Sequence, residues 1–363
     1  MRQNLFILLL ALTVVMLSCS TEDADTGGPR RTLVPMGFAA VESGASHGAT
    51  RAAGDLALPQ LKSGTGFGVF AAYTGLNRYT DSSVSPDFMY NQQVTWEDDV
   101  WTYEPVKYWP SGETDYYVSF FAYGPYSDLD SSDPATNPAG YCISGFSNAH
   151  AQGDPWLTYR LIPQAQLDHQ VDLVYARTLD QTRPASVEDK VQMSFDHALA
   201  CVGDVVCITV SDAMKTLLNA HIAGGTTSVE LRLTDVSVSY TLTAKGRLSL
   251  WDDGSARWQP VLSEAVTTQL TPTLTQPLPQ VIYSYDGSTA TTTDWEDRGH
   301  GIFCIPLEVE GHVQQVRITV AYQVVLNGAV VFAEHEQATT TPITNHLQAG
   351  ARLALKASLT PPS

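Results

Sequence analysis

The sequence contains one run that matches the serine-nucleophile pattern G-x-S-x-G, at residues 44–48, with Ser46 in its middle. In a hydrolase this pattern forms a strained turn between a strand and a helix, which exposes the serine hydroxyl. Here the run lies among small residues, with no strand pattern before it and no helix pattern after it. We therefore interpret it as part of a linker and not as a nucleophile.

Polar residues at alternate positions resemble the first ligands of a calcium-binding loop at Asp128, Asp130 and Ser132. Such a loop needs a glycine at its sixth position and a glutamate at its twelfth, where this chain has Asp133 and Ala139. The pattern therefore predicts a polar surface loop.

Glu334, His335 and Glu336 are three adjacent residues of metal-ligating types. On a strand, alternate side chains point to opposite faces, so the two carboxylates would face away from the histidine. The nine histidines show no H-E-x-x-H spacing, and no glycosidase pair of carboxylates is recognisable. The sequence thus predicts no catalytic residue, no metal and no cofactor. We expect a protein that is not an enzyme, and a secreted hydrolase is the least favoured hypothesis.

The composition favours an extracellular β protein. The 363 residues include 20 Lys+Arg and 38 Asp+Glu, a formal net charge of -18, yet only 16% of residues are charged. This balance excludes a nucleic-acid partner, because no basic patch is available to release phosphate counterions. Frequent Thr, Ser, Val and Tyr suit strands, and the length suffices for two domains.

The N-terminus has the features of a bacterial export signal. Arg2 supplies a positive charge, and residues 5–17 form an apolar run too short for a membrane-spanning helix. A small residue then precedes Cys19, as at sites where a lipoprotein peptidase cuts and a diacyl lipid is attached. Residues 1–19 are therefore predicted to be a lipoprotein signal peptide with Cys19 lipidated. An ordinary secretory signal is the alternative, and either one directs the chain out of the cytoplasm.

Four further cysteines would allow two disulfides in three pairings. They are Cys142, Cys201, Cys207 and Cys304. On one straight strand, the Cα atoms of Cys201 and Cys207 would be ~20 Å apart, beyond the reach of a disulfide. Buried free thiols are therefore the favoured prediction, with disulfides left open.

A short strand is predicted ahead of the first domain, at residues 32–41. Its apolar residues recur with a period of two and are Val34, Met36, Phe38 and Ala40. Pro35 lacks a backbone donor, which favours an edge position. An acidic tether at residues 20–31 precedes this strand, and a linker of small residues that contains Arg51 follows it. Residues 20–51 are thus expected to be a tether, an edge strand and a linker.

The rest of the chain shows strands separated by turns. Asp253-Gly254 and Asn327-Gly328 lie between apolar runs and predict two hairpins. One substantial helix is predicted at Asp212–Ala223, capped by Ser211. The predicted fold class is all-β: two tandem antiparallel β-sandwich domains of transthyretin-like or Greek-key type, with at most one or two short helices.

The two sandwiches are placed at residues 52–188 and 189–363. The boundary lies between Pro184 and the apolar run that begins at Val191.

Several aromatic blocks carry a resemblance to a known family. Residues 101–110 have the pattern W-x-Y-x-P-x-K-Y-W-P, residues 118–126 are V-S-F-F-A-Y-G-P-Y, and residues 171–176 and 193–199 are weaker matches. This chain closely resembles the fimbrillin family, in particular the fimbrillin-like (Mfa-like) lipoproteins of anaerobic Gram-negative gut and oral bacteria. The resemblance spans nearly the whole mature chain.

The resemblance implies a subunit of a type V pilus, or fimbria. In that family the lipoprotein reaches the cell outer membrane, an arginine-specific protease removes an N-terminal strand, and a neighbouring subunit fills the groove by donor-strand exchange. Arg51 is the matching processing site here, since cutting at Arg30 or Arg31 would leave the strand attached. The residues of the removable strand are Val34, Met36, Phe38 and Ala40. The implied partners are other pilus subunits, the processing protease, the outer membrane through the lipid anchor, and a host or bacterial receptor.

Two alternatives stay open. The last predicted strand, residues 353–359, resembles the family's final core strand, which favours a terminal, tip-like subunit unless that strand is itself the donor. A surface glycan-binding lipoprotein that never polymerises is the second hypothesis. It would use exposed aromatic rings near Tyr108 and Trp109 to stack on sugars.

Overall fold

The computed structural model describes residues 33–42, 58–80, 84–111, 116–129, 142–251, 257–262 and 266–362. Within these residues most of the secondary structure is β, arranged in four sheets, and the predicted all-β fold class is confirmed. The described helices are α1 (Leu58–Ser63), α2 (Asp212–Ala223) and two 3₁₀ turns (Gln164–His169 and Thr344–His346).

A seven-stranded sheet dominates the first half of the chain. In spatial order its strands are β1 (Phe38–Glu42), β9 (Val191–His197), β8 (Val174–Gln181), β5 (Tyr117–Gly124), β2 (Phe67–Gly75), β3 (Met89–Glu97) and β4 (Val100–Thr102). Neighbouring strands are antiparallel except for β1 and β9, which run parallel. The central strands β2 and β5 are buried on both faces, which explains their continuous apolar sequence.

One face of this sheet packs on a four-stranded sheet. Its strands, in spatial order, are β13 (Trp258–Pro260), β12 (Lys245–Ser249), β7 (Trp156–Arg160) and β6 (Ile143–Phe146). Phe70 and Phe121 of the larger sheet share a buried cluster with Leu157 and Leu248 of the smaller one. The first sandwich therefore includes two strands that lie far along the chain, β12 and β13.

Two further sheets form the second sandwich. One is built on β10 (Ala200–Val210), with β17 (Trp295–Arg298) and β18 (Ile302–Cys304) on one side and β21 (Arg352–Leu359) on the other. The opposing strands are β16 (Ala290–Thr292), β15 (Gln280–Tyr285), β11 (Val229–Thr243), β19 (Gln315–Leu326) and β20 (Ala329–Pro342), with β14 (Thr267–Leu270) also on β11. Val206, Leu231 and Val320 pack between the two sheets, and Met214 and Leu218 of α2 join them.

Two local predictions in this half are confirmed, the capped helix and the turn at Asn327-Gly328, whereas Asp253 and Gly254 lie outside the described residues. The Ser211 hydroxyl accepts a hydrogen bond from Met214 N at 3.2 Å and so caps α2. Asn327 and Gly328 join β19 to β20 with φ of 48° and 79°, the positive values that a type I′ turn requires.

Several strand pairs span the predicted domain boundary after residue 188. β9 begins at Val191 but pairs with β1 and β8 in the seven-stranded sheet. β12 likewise pairs with β7 across more than 80 residues of chain. The domain boundaries stay a prediction, and any division of the fold has to keep these pairs together.

Candidate functional site

One segment joins the two edges of the seven-stranded sheet; we call residues 34–42 the N-terminal segment. Its second half is β1, which pairs in parallel with β9 along its whole length. Its first half pairs with the chain that follows β4. Met36 N donates to Lys107 O at 2.8 Å, and Trp109 N donates to Val34 O at 2.9 Å. β1 is thus an edge strand, while the residues before it bridge to the opposite edge.

The side chains of the N-terminal segment alternate between buried and exposed. The buried ones, with their exposed fractions, are Val34 (6%), Met36 (3%), Phe38 (3%) and Ala40 (8%). Pro35 and Val41, by contrast, face solvent. The four buried residues belong to one apolar cluster with Val69, Phe120 and Met193 of the sheet. They are therefore part of the core, although they belong to an edge.

Phe38 lies among three aromatic rings of this cluster. Its ring centroid lies 6.3 Å from that of Phe67, 5.5 Å from that of Tyr103 and 5.6 Å from that of Phe120. The contacts with Phe67 and Phe120 are edge-to-face, with interplanar angles of 86° and 83°. Such pairs contribute about 0.5–1.5 kcal/mol each beyond the burial of apolar area. Phe38 is therefore the main anchor of the N-terminal segment.

Tyr103 links the N-terminal segment to the chain after β4. Its hydroxyl donates to Met36 O at 3.1 Å and accepts from Lys107 N at 3.2 Å. Burial raises the pKa of Tyr103 to about 12, so the hydroxyl is protonated and remains a donor at neutral pH. The same side chain thus supports the segment by a ring contact and by a hydrogen bond.

The C-terminal end of the N-terminal segment is tied to α1. Glu42 Oε1 accepts a hydrogen bond from Leu58 N, the first residue of α1, at 2.9 Å. The first N–H groups of a helix have no hydrogen-bond partner within the helix, and this carboxylate accepts from one of them. Its negative charge also interacts favourably with the positive end of the helix dipole. Leu61 of α1 is buried in the same cluster as Phe38.

Cys19 and Arg51 both lie outside the described residues, as do the tether and most of the linker. What the structure fixes is the two ends of the linker, because Glu42 and Leu58 are hydrogen-bonded to each other. Lipidation at Cys19 and processing at Arg51 stay predictions.

The last strand, β21, also extends a sheet in parallel. It pairs with β10 along its length, and Leu359 is fully buried. Leu353, Leu355 and Ala357 lie on the same face but are only half-buried. β21 therefore covers the border of the second sandwich and does not fill its centre.

Side chains of the opposing sheet hold the end of β21. The Tyr322 hydroxyl donates to Thr360 O at 2.8 Å, and Gln337 Oε1 accepts from Thr360 N at 3.0 Å. Gln337 Nε2 also donates to Ser358 O at 3.1 Å. The chain end is thus bound to β10 by backbone pairing and to β19 and β20 by side chains.

Comparison with known proteins assigns the family. The family model described as fimbrillin-like matches residues 50–323, well over half of the chain. The chain belongs to the fimbrillin-like family. This confirms the resemblance carried by the aromatic blocks, all of which lie inside the matched residues.

Two relatives bear on this fimbrillin-like protein. Fimbrium subunit Fim1C of Phocaeicola vulgatus is 29% identical over 150 residues, which are 40% of this chain and 37% of that relative. The match therefore spans well under two thirds of the relative. A crystal structure of a fimbrial protein from Bacteroides vulgatus has a TM-score of 0.58 and 19% identity, with 89% of this chain and 95% of that chain covered. That likeness is one of fold.

The four cysteines in the described part of the fimbrillin-like protein form no disulfide, which agrees with the favoured prediction. Cys142, Cys201 and Cys304 are buried, whereas Cys207 is half-buried. Burial raises the pKa of Cys142 to about 11 and that of Cys304 well above its ordinary value. The thiols of Cys142 and Cys304 therefore stay protonated at neutral pH.

The other candidate residues form no chemical site in the described part of the chain. Residues 44–48 lie outside it, and of the calcium-like loop only Asp128 is described, where it is exposed. The His335 ring packs against Tyr322 at a centroid distance of 5.3 Å. Among the described residues, no group of three or more His, Cys, Asp or Glu side chains could hold a metal ion. Of the helices described, none combines the length and the apolar character that crossing a bilayer requires.

The aromatic residues of the W-x-Y-x-P block divide between core and surface. Trp101, Tyr103 and Trp109 are buried, and only Tyr108 is well exposed, at 46%. Trp109 packs against Phe120 with ring centroids 5.9 Å apart. A stacking platform at Tyr108 and Trp109 therefore has one accessible ring, and the glycan-binding alternative stays a prediction.

The alternation in the sequence predicts the four apolar residues of the N-terminal segment but not the residues that contact them. Tyr103 lies within the W-x-Y-x-P block, which gives no sign that its hydroxyl reaches Met36 O, and no pattern indicates a role for Glu42. The spacing of Glu42 before a helix is no usual capping signal, because 16 residues separate it from Leu58. For Tyr103, the signal was its place between two tryptophans in a block typical of the family.

Proposed function

We propose that this protein is a structural subunit of a bacterial cell-surface fimbria, in which a strand of a neighbouring subunit replaces the N-terminal segment. It is exported as a lipoprotein with Cys19 lipidated and reaches the outer membrane. An arginine-specific protease then cuts at Arg51. A tip-like position in the fimbria and an adhesive role are the narrower form of this proposal.

The observation that carries the proposal is the burial of an edge segment. The edge strand β1 offers backbone groups to one neighbouring strand. The N-terminal segment that contains β1 also fills a groove in the core with four apolar side chains. Its loss would leave the outer edge of β9 unpaired, although β9 would keep its pairing with β8, and would expose the rings of Phe67 and Phe120. Such a surface favours any extended peptide that restores both the ladder and the apolar contacts, which is strand addition.

The covalent link between segment and body supports the same proposal. Between Glu42 and Leu58 the connection runs through residues 43–57, which include Arg51. Cutting there leaves the N-terminal segment attached only by its hydrogen bonds and its buried side chains. Replacement by another strand then needs no unfolding of the sandwich, since the segment lies at a sheet edge.

Substitution of Arg51 tests the processing step. We expect Arg51→Ala protein to keep its lipidated N-terminus and to be absent from surface filaments. Arg31→Ala is the matched control and should be processed normally, because a cut at residue 31 would not free the segment. The measurement is N-terminal sequencing of filament subunits, with Ala52 expected first. Arg51→Ala protein that assembles at the normal level would contradict the proposal.

A reversible crosslink tests the exchange itself. Val41 of β1 lies opposite Ser194 of β9, and both face solvent. A disulfide in the double variant Val41→Cys/Ser194→Cys should hold the segment in place after cleavage and block assembly until a reductant is added. The single variant Val41→Cys controls for the substitution. Assembly by the oxidised double variant at the wild-type rate would exclude strand exchange.

A further inference from the structure

The groove under the N-terminal segment has positions of unequal size. Going along the segment, it accepts Val34, Met36, Phe38 and then Ala40, and all four are buried. The position of Phe38 is enclosed by three aromatic rings. Two residues later, Ala40 is buried with only a methyl group, opposite the fully buried Met193. Large and small positions therefore follow each other in a fixed order.

From this order we infer that the groove selects a partner strand with an aromatic residue followed two positions later by a small residue. The inference rests on the proposed strand exchange and identifies the chemistry of the incoming peptide. The aromatic residue restores the ring contacts with Phe67, Tyr103 and Phe120. The small residue then fits beside Met193 without displacing the strands of the sheet.

The register of the incoming strand follows from the pairing of β1. Phe38 lies opposite Val191 and Ala40 opposite Met193, in parallel to β9. A shift by one residue would turn every buried side chain to solvent, and a shift by two would move the aromatic residue to the alanine position. The ring at the position of Phe38 therefore fixes the register as well as the affinity.

The last strand of a second copy of this chain is a poorer fit. With Ala357 of β21 at the small position, Leu355 takes the aromatic position and the ring contacts are lost. With Leu359 at the small position, Ala357 would leave the aromatic position nearly empty. Leucine in place of phenylalanine keeps much of the apolar area, so the first register is the better of the two. We therefore infer a partner strand other than β21 of a second copy.

Peptide capture by the cut protein tests this selection. The full chain carries a unique protease site in place of Arg51, is cut there, and is freed of its segment in mild denaturant. Synthetic peptides are then added and their affinity is measured by fluorescence anisotropy. They are the segment itself (residues 33–43), its Phe38→Leu, Phe38→Ala and Val41→Ala forms, and a β21 peptide (residues 350–360).

We expect the segment peptide and its Val41→Ala form to bind within about three-fold of each other, because Val41 faces solvent. The Phe38→Leu form and the β21 peptide should bind about ten-fold more weakly or worse, and the Phe38→Ala form about 100-fold more weakly. Binding of the β21 peptide within three-fold of the segment peptide would overturn the inference and leave strand exchange intact. If no peptide enters the groove, the inference and the proposed strand exchange fail together.

Discussion

The first and last strands described, β1 and β21, are alike in topology but differ in how deeply their apolar side chains are buried. β1 and β21 both extend a sheet edge, and each runs parallel to the one strand with which it pairs among the described residues, where the other strand pairs are antiparallel. Yet the apolar side chains of the N-terminal segment are at most 8% exposed, while most of those on β21 are half-buried. The same kind of edge addition thus completes a core in one sandwich and covers a border in the other.

Their attachments follow the same plan. A tyrosine hydroxyl from elsewhere in the sandwich donates to a backbone carbonyl of each segment, Tyr103 to Met36 O and Tyr322 to Thr360 O. The N-terminal segment is in addition paired through its backbone to residues after β4. β21 has side-chain bonds from Gln337 at the corresponding place. Because the N-terminal segment is buried more deeply than β21, its removal would expose the larger apolar surface, which only a replacement strand could cover again.

The largest expected contrast concerns the buried side chains. Phe38→Ala should lower the free energy of unfolding by about 3–5 kcal/mol, because it empties an enclosed aromatic position. Leu355→Ala on β21 should cost only about 1–2 kcal/mol, since that side chain is half-buried already. Urea unfolding of the uncut chain measures both, with the exposed Val41→Ala as a control expected within about 0.5 kcal/mol of wild type. An equal loss of unfolding free energy in Phe38→Ala and Leu355→Ala would show that the deeper burial of Phe38 gives no additional stability.

Alkaline pH should act on both attachments through their tyrosines. The pKa of Tyr103 and that of Tyr322 are each raised to about 12, mainly by burial, above the ordinary value of 10.0. The unfolded chain therefore loses these protons first, so the stability they contribute is present below pH 10 and declines as pH rises toward 12.

The matched variants separate the two tyrosines from the other buried ones. Tyr103→Phe and Tyr322→Phe should each reduce the loss of unfolding free energy between pH 9 and pH 11, measured by urea titration. Tyr103→Phe should also speed hydrogen exchange at the amide of Lys107, whose acceptor it removes. A pH profile of either variant that is superimposable on wild type would show that the pKa of that hydroxyl is the same in the folded and the unfolded chain.

What the sequence could predict here was local. The alternation over residues 34–40, the capped helix at Asp212–Ala223 and the Asn327-Gly328 turn depend on neighbours within a few residues. For the same reason the aromatic blocks were sufficient to indicate the family. The protein's all-β class followed from the accumulation of such local signals.

What the sequence could not predict was which strands meet. The pairing of β1 with β9 joins residues about 150 positions apart, and period-two alternation does not specify a partner or a direction. The backbone hydrogen bond from Met36 N to Lys107 O could not be predicted for the same reason. The division after residue 188 was placed between Pro184 and the apolar run at Val191, and nothing in the sequence of β7 or β12 indicates that these strands pair across it.

The smallest expected contrast concerns the polar ties at the ends of the two segments. In the chain cut at Arg51, Glu42→Ala should make the N-terminal segment dissociate about five-fold faster, because a helix cap contributes about 1 kcal/mol. Gln337→Ala removes comparable hydrogen bonds from Thr360, but these belong to the other terminal strand. It should therefore leave dissociation of the N-terminal segment unchanged, as followed by native mass spectrometry of the cut protein. Acceleration by both variants would mean that the two terminal strands are coupled through the body of the protein, and that neither can be exchanged independently of the other.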